Sequence, residues 1–390
     1  MIRIGMIISL RGMWQGGVNY YQNLWGCFRK YPDPEVKLEL FSPYPEDLAQ
    51  YRSDAIGVHM WPGMPARNIV TVPRRAIKRF LGIDPVLVGL LKCRRIDLMS
   101  HIWPSELDAL RVRADIPVLP WMPDFQHRWL PHFFTERECS DRNAFVAQSR
   151  KWGHLLLSSQ SAEADFRRFY PELTQVRTHI LRFSCASALN IVPLSREELG
   201  AQYPIRGPYF FLPNQFWQHK NHAVVVEALR QTPAEIRVIC TGSMDDYRSP
   251  GYMPSLMEKV RGAGLEDRFV CLGTVPYPVL VSLMHHSIAV VQPSLFEGWS
   301  TTVEESKAMC KRILLSNIDV HLEQAPERGI YFSPDNPKEL ADCLKRVHAE
   351  FDPATEENFA NQRPRYRARV EREWVAEYAR IVKKVCGARI

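Results

Sequence analysis

Hydrophobic positions along the chain fall into short uninterrupted runs, separated by longer stretches in which apolar residues return every three or four positions. The runs at 3–10, 36–41, 55–59, 96–102, 116–121, 155–159 and 176–183 have strand length, and helical patterns lie between most of them. Strand and helix in alternation predict a parallel α/β sheet. Between 184 and 203 the periodicity lapses, and Ala186, Ser187, Pro193 and Pro204 mark a linker. A second series follows, with strands at 209–213, 236–241, 269–274, 288–292, 313–316 and 330–332. Its helices are expected at 222–229, 255–263, 278–285, 301–310 and 339–348. The last pattern, at 370–385, carries Val375, Tyr378, Ile381 and Val382 at helical spacing. The domains expected are therefore 1–188, 189–369 and a closing helix, 370–390, packing back toward the first. Two such α/β halves facing each other make a cleft, a preferred place for a ligand.

At 390 residues two domains are the natural division, so length agrees with the pattern. The formal net charge of +7 is a mild excess that favours an anionic ligand or an acidic surface without requiring one. No zinc-finger spacing, basic helix leading into heptads or RNP-like aromatic pattern is present, so nucleic acid is not an expected partner. The cysteines are scattered and never form C-x-x-C, which fits a reduced cytoplasmic protein with buried thiols. The apolar run at 4–10 is cut off by Arg11 and Gly12 and reads as a first strand, not a leader or a membrane span. One segment, 72–81, puts Arg74, Arg75, Lys78 and Arg79 on one helical face and Ala76, Ile77, Phe80 and Leu81 on the other. It is either a solvated charged face over a core contact or a landing surface for anionic lipid headgroups at the inner membrane face.

Candidate chemistry gathers where predicted strands end. Gly12, Gly16 and Gly17 lie between the first strand and a helical pattern, an arrangement that brings backbone N–H groups to an anion, although an ordinary strand-to-helix connection reads the same way. Asp124 and His127 stand three residues apart after the strand at 116–121, as a base and proton relay or as a turn-capping Asp and a structural His. The loop NQFWQHKNH places Lys220 at a strand-to-helix junction with Asn221 at the N-cap, where a cation and a helix N-terminus both favour negative charge. The stretch VVQPSLFEGWSTTVEESKAM carries Glu297 in a turn and Glu305 about two turns into the next helix. Strand carboxyl ends of a parallel sheet share one edge, so Lys220, the Phe296–Thr302 turn and the Gly273–Thr274 turn should meet there. A cation, free helix N–H groups and two hydroxyl-gripping carboxylates describe a site for a diphosphate joined to two sugars. A helix-surface acid at Glu305 and a capping residue at Glu297 are the plainer alternatives.

SLFEGWSTTVEESKAM resembles the E-x7-E motif of retaining glycosyltransferases of the GT-B fold, group 1, family 4. The preceding FVCLGTVPYPVLVSLMHHSIAVVQPS resembles that family's strand, glycine turn, helix and strand. The likeness also takes in Gly16–Gly17, PDFQH, SSQSAEADF and HKNH. It implies an α/β fold of two Rossmann-like domains facing each other across a cleft, and a hexosyltransferase moving a sugar from a UDP- or GDP-linked donor to a glycan or lipid-linked acceptor in cell-surface polysaccharide synthesis. It further implies retained anomeric configuration, no cofactor beyond the nucleotide sugar and no obligatory metal. The absence of a D-x-D triplet agrees.

By the same resemblance Glu305 holds the donor ribose, and Glu297 lies by hydroxyls of the transferred sugar. Asn214, Gln215, Gly273, Thr274 and the amides from Gly298 through Trp299, Ser300 and Thr301 address the donor. Lys220 neutralises the diphosphate, and Gly16 and Gly17 close on it, with Asp124 and His127 on the catalytic side. Two positions depart from the pattern: Gln215 stands where many relatives carry Arg, and Pro123 where many carry His. A GT-B nucleotide-sugar epimerase and a non-catalytic glycan- or partner-binding protein are the competing readings.

Overall fold

The computed structural model describes residues 1–13, 15–61, 74, 76–77, 84–102, 116–185, 191–246 and 248–387. The chain divides into two compact units, Met1–Phe183 with Val370–Ile390, and Ser184–Arg369.

In the first unit β1 (Ile2–Ile7), β2 (Val36–Ser42), β3 (Ile56–Met60), β4 (Leu98–Ser100) and β5 (Val118–Leu119) form a sheet in the order β3-β2-β1-β4-β5. A second sheet, β6-β7-β8, comprises Trp121–Met122, His154–Leu157 and Arg177–Ile180. All of these pairings are parallel. The single strand expected at 116–121 is thus divided between two sheets at Pro120. Proline has no N–H to continue a ladder, and the Pro120 carbonyl instead accepts from Leu156 N at 2.8 Å, handing the chain to β7.

The closing helix runs from Arg363 to Gly387, beginning earlier than the apolar pattern implied because Pro364 is tolerated in a first turn. Its Trp374, Tyr378, Ile381 and Val382 join Tyr20, Tyr21, Leu24 and Trp25 in one core cluster. Such burial, at roughly 1.5–3 kcal/mol for a large apolar side chain, is what holds the helix on this unit.

The segment expected to present Arg74 on a charged face does something else. Arg74 is 8% exposed and makes a two-pronged pair with Asp84, Nε to Oδ1 at 2.9 Å and Nη2 to Oδ2 at 2.6 Å. Asp84 also caps the helix Pro85–Cys93 by accepting from Val86 N and Leu87 N. A guanidinium committed in this way cannot greet a lipid headgroup, so Arg74 leaves the proposed landing surface. Ile77, expected on the apolar face, is exposed. Arg75, Lys78 and Arg79 lie outside the described residues.

In the second unit β9 (Phe210–Leu212), β10 (Val238–Cys240), β11 (Phe269–Cys271), β12 (Val290–Gln292), β13 (Ile313–Ser316) and β14 (Gly329–Phe332) form one parallel sheet. Their order is β11-β10-β9-β12-β13-β14. Counted from the first strand of this unit that is 3-2-1-4-5-6, the doubly wound order, whose crossovers leave β9 and β12 in opposite directions and open a crevice at their carboxyl ends. The core under it is built from Phe210, Leu212, Val225, Leu229, Val238 and Val291. All of the cysteines are free. No helix among the described residues is long and apolar enough to cross a membrane.

Candidate active site

The crevice is bounded by the two loops that leave β9 and β12. After β9 the chain passes Asn214 and Gln215 into a single turn, Gln218–Lys220, and then the helix His222–Leu229. After β12 it passes Ser294 and Glu297 into the helix Thr301–Ala308, whose N-cap Ser300 accepts from Val303 N at 3.4 Å. The loops are joined directly, since Leu295 N donates to His219 O at 2.8 Å. Asn221 takes the expected N-cap position but does not cap with its side chain. Its backbone is left-handed, with φ 57°, and its Nδ2 donates to the Pro293 and Pro334 carbonyls at 3.1 and 2.9 Å.

Lys220 Nζ lies 2.6 Å from Glu297 Oε1, with the two side chains 15% and 10% exposed. The same oxygen accepts from Ser294 Oγ at 2.7 Å and from Gln292 Nε2 at 2.9 Å. Gln292 in turn accepts from Asn214 Nδ2 at 2.7 Å. An ammonium carries three protons, so a lysine that gives one to Glu297 keeps two for another anion. Neighbouring imidazoles add no charge: burial, then the nearby Lys220, holds His219 well below its ordinary value, and burial holds His321 down to about 4.

Glu305 is the fifth residue of its helix, just past one turn rather than two. It is buried, accepts from Tyr277 Oη at 2.9 Å, and is pushed up to about 7 by loss of solvent. Glu304 beside it is also buried and accepts from Lys307 Nζ and Gln324 Nε2, each at 2.9 Å. Gln324 also grips Ser300, accepting from its N–H at 3.1 Å and donating to its carbonyl at 3.0 Å. The Ser300 amide, expected to face donor phosphates, is therefore already committed. Trp299 is buried, whereas Gly298 and Thr301 are half-buried. On the other side of the crevice Gly273, at φ 70°, accepts from Gly242 N at 2.9 Å, and Thr274 is exposed. Gly242 itself sits at φ 142°, where a Cβ would come within 2.5 Å of the Asn214 carbonyl oxygen. Among the described residues no three His, Cys, Asp or Glu side chains are gathered so as to hold a metal ion.

Residues 208–350 match the family described as glycosyl transferases group 1, and that stretch holds every part of this site. The matched residues lie within the second unit. The O-antigen chain mannosyltransferase RfbU of Salmonella typhimurium is 26% identical over 140 residues, 36% of this chain. The match spans 38% of that relative's length. Among solved structures, Anabaena Alr3699/HepE in complex with UDP and glucose resembles 98% of this chain and 100% of its own, with TM-score 0.68 and 14% identity. Sucrose-phosphate synthase from Thermosynechococcus elongatus covers 100% of both chains at TM-score 0.67 and 16% identity. The fold is that of the GT-B glycosyltransferases.

The crevice therefore brings together Asn214, Lys220 and Glu297, with Gly298 and Glu305 on the same loop and helix. The other candidates belong to the first unit. Gly16, exposed, and Gly17, buried, lie in the first turn of the helix Gln15–Lys30. Asp124 accepts from Gln126 N at 3.0 Å and from Arg142 Nη1 at 3.3 Å, which makes it a turn former with an ion-pair partner. His127 is buried, with Nε2 3.1 Å from Asn143 Oδ1 and 3.2 Å from Tyr170 Oη. Burial and then Arg142 hold it down to about 4. These two side chains serve different partners rather than forming a relay.

Sequence reasoning missed Gln292, Ser294, Tyr277 and Gln324. Gln292 did carry a signal: an amide closing an otherwise apolar strand that is buried on both faces must find partners. Tyr277 and Gln324 carried none, because their partners lie 28 and 20–24 positions away.

Proposed function

We propose that the protein is a retaining glycosyltransferase that moves a sugar from a nucleotide diphosphate sugar to a glycan or lipid-linked acceptor in cell-surface polysaccharide synthesis. The observation that carries this reading is the Lys220–Glu297 pair at the switch point of the second unit's sheet, inside the stretch that matches group 1 glycosyl transferases. The likeness to RfbU, an O-antigen chain mannosyltransferase, supports a polysaccharide acceptor. The HepE structures holding UDP and UDP-glucose support a nucleotide-linked donor. No further cofactor and no metal enter the reaction, and the chain works on the cytoplasmic side of the membrane.

In this reading the diphosphate lies over the end of β9, where the two remaining Lys220 protons meet its oxygens as negative charge builds on the leaving group. Glu297 accepts from hydroxyls of the transferred sugar, and Glu305 accepts from the ribose. The sugar–phosphate bond lengthens to an oxocarbenium-like state, and the acceptor oxygen bonds to the anomeric carbon on the face the phosphate leaves. The acceptor proton passes to a phosphate oxygen, so the protein positions the reactants and stabilises charge without supplying a nucleophile. Asn214 and the Gly273–Thr274 turn line the donor.

The test is donor hydrolysis with UDP-, GDP- and ADP-sugars, followed by transfer to lipid-linked glycans, with the anomeric configuration of the product read by NMR. Turnover of one donor class with a retained product supports the proposal. Inversion of configuration, or an epimerised sugar released without acceptor, overturns it.

A further inference from the structure

Gln292 is the junction of the polar network at the switch point. It ends β12 and is fully buried. Its Oε1 accepts from Asn214 Nδ2 at 2.7 Å, and Asn214 lies just past the end of β9, the adjacent parallel strand. Asn214 Oδ1 is reached in turn by Thr302 Oγ1 at 3.4 Å. On the other side Gln292 Nε2 faces Glu297 Oε1 at 2.9 Å, Ser300 Oγ at 3.0 Å and Ser294 Oγ at 3.2 Å. A carboxylate only accepts, so the amide nitrogen must point at Glu297, and the oxygen is left for Asn214. One planar side chain thereby ties the loop bearing Lys220 to the loop bearing Glu297 and to the N-cap of the helix bearing Glu305.

We infer that Gln292 is a positioning residue for sugar transfer, which fixes Glu297 as an acceptor beside Lys220 and sets the separation of the two loops that grip the donor. The inference rests on the transferase reading above. Its physical content is that Lys220, Ser294 and Gln292 all reach the same oxygen of Glu297. With Oε1 engaged in this way, Oε2 is the oxygen assigned to a sugar hydroxyl. Without the amide, Asn214, Ser300 and Glu297 each lose a partner in a buried place, and the loops are free to reset by the fraction of an ångström that matters to a reacting geometry.

Gln292→Glu and Gln292→Leu distinguish this role from simple structural support. Glu keeps the shape; protonated, it has one O–H to give Glu297 and a carbonyl to accept from Asn214, whereas ionised it sets two carboxylates side by side. Donor hydrolysis is measured with UDP-glucose, GDP-mannose and ADP-glucose from pH 5.5 to 8, alongside UDP affinity by calorimetry and folding by circular dichroism. With the donor that wild type uses, the Glu variant is expected to lose roughly 30-fold in kcat at pH 8 and to recover relative to wild type as the pH falls. Its donor KM and UDP affinity should change by less than about threefold, and the Leu variant should stay slow at every pH. Folded variants with wild-type kcat and pH profile, or a loss confined to KM, overturn the inference while leaving the transferase reading intact. A wild-type chain that turns over none of the three donors overturns both.

Discussion

Tyr277 Oη donates to Glu305 Oε1 across 2.9 Å in surroundings that bury the carboxyl. Loss of solvent outweighs the phenol, which favours the ionised form, and pushes Glu305 up to about 7. A carboxyl raised in this way binds its proton more readily folded than unfolded. Its contribution to stability is therefore greatest below about 4.5 and is lost as the pH rises through 7, by roughly 3 kcal/mol.

Glu305→Gln should remove that dependence. The difference in unfolding free energy between variant and wild type is expected to move in the variant's favour by roughly 3 kcal/mol between pH 4.5 and 8. Urea titrations at a series of pH values would measure it, and parallel curves would contradict the assignment. The same variant should bind UDP roughly tenfold or more weakly, because an amide accepts ribose hydroxyls less strongly than a carboxylate.

Lys220→Met keeps the aliphatic stem and removes the charge beside Glu297. Donor hydrolysis should fall by about 100-fold or more in kcat, the scale seen when one preorganised charge-stabilising group is removed. Circular dichroism should be unchanged, since Ser294 and Gln292 still reach Glu297 Oε1. Turnover within threefold of wild type would remove Lys220 from the chemistry.

Gly242 tests how tightly the β9 and β10 loops are packed. A methyl at this position would lie 2.5 Å from Asn214 O and 2.7 Å from Gln215 Cα, both backbone atoms that cannot swing away. With the strain of φ 142° added, Gly242→Ala should cost about 2–3 kcal/mol and weaken UDP binding by displacing Asn214. A thermal melt and a UDP titration on one preparation would read both effects.

In the first unit, Tyr20 Oη lies 2.7 Å from His101 Nε2, and Ser100 Oγ lies 2.8 Å from His101 Nδ1, all buried. His101 follows β4 at φ 58° and is held neutral by burial, down to about 3. Tyr20→Phe leaves Nε2 without this hydroxyl and should destabilise by about 1–2 kcal/mol in urea unfolding. No change in the midpoint would mean that the contact is energetically idle.

The features legible beforehand were the local ones. An apolar run halted by Pro293 and a helix opening near Thr301 follow from steric preferences and periodicity that act over a few residues, and the structure has both. The spacing from Glu297 to Glu305 was equally visible. Illegible were the side chains' actual partners. Parallel strand order did bring Lys220 to the Phe296–Thr302 turn, but not the direct pairing with Glu297 across 77 positions, nor that of Asn214 with Gln292 across 78. The sheet change at Pro120 and the burial of Arg74 against Asp84 depend in the same way on which strand or acid lies nearby after folding.

By itself the sequence determined a parallel α/β chain with strand-end loops carrying a lysine, glycines and one carboxylate, and a second carboxylate in the helix that follows, because periodicity and turn chemistry are written in neighbouring residues. Only the tertiary structure decided that Gln292 joins the two loops, that Ser300 is already engaged by Gln324 and that Glu305 sits dry beneath Tyr277. Those outcomes depend on burial and on contacts between distant strands, which arise when the sheet brings the ends of β9 and β12 side by side.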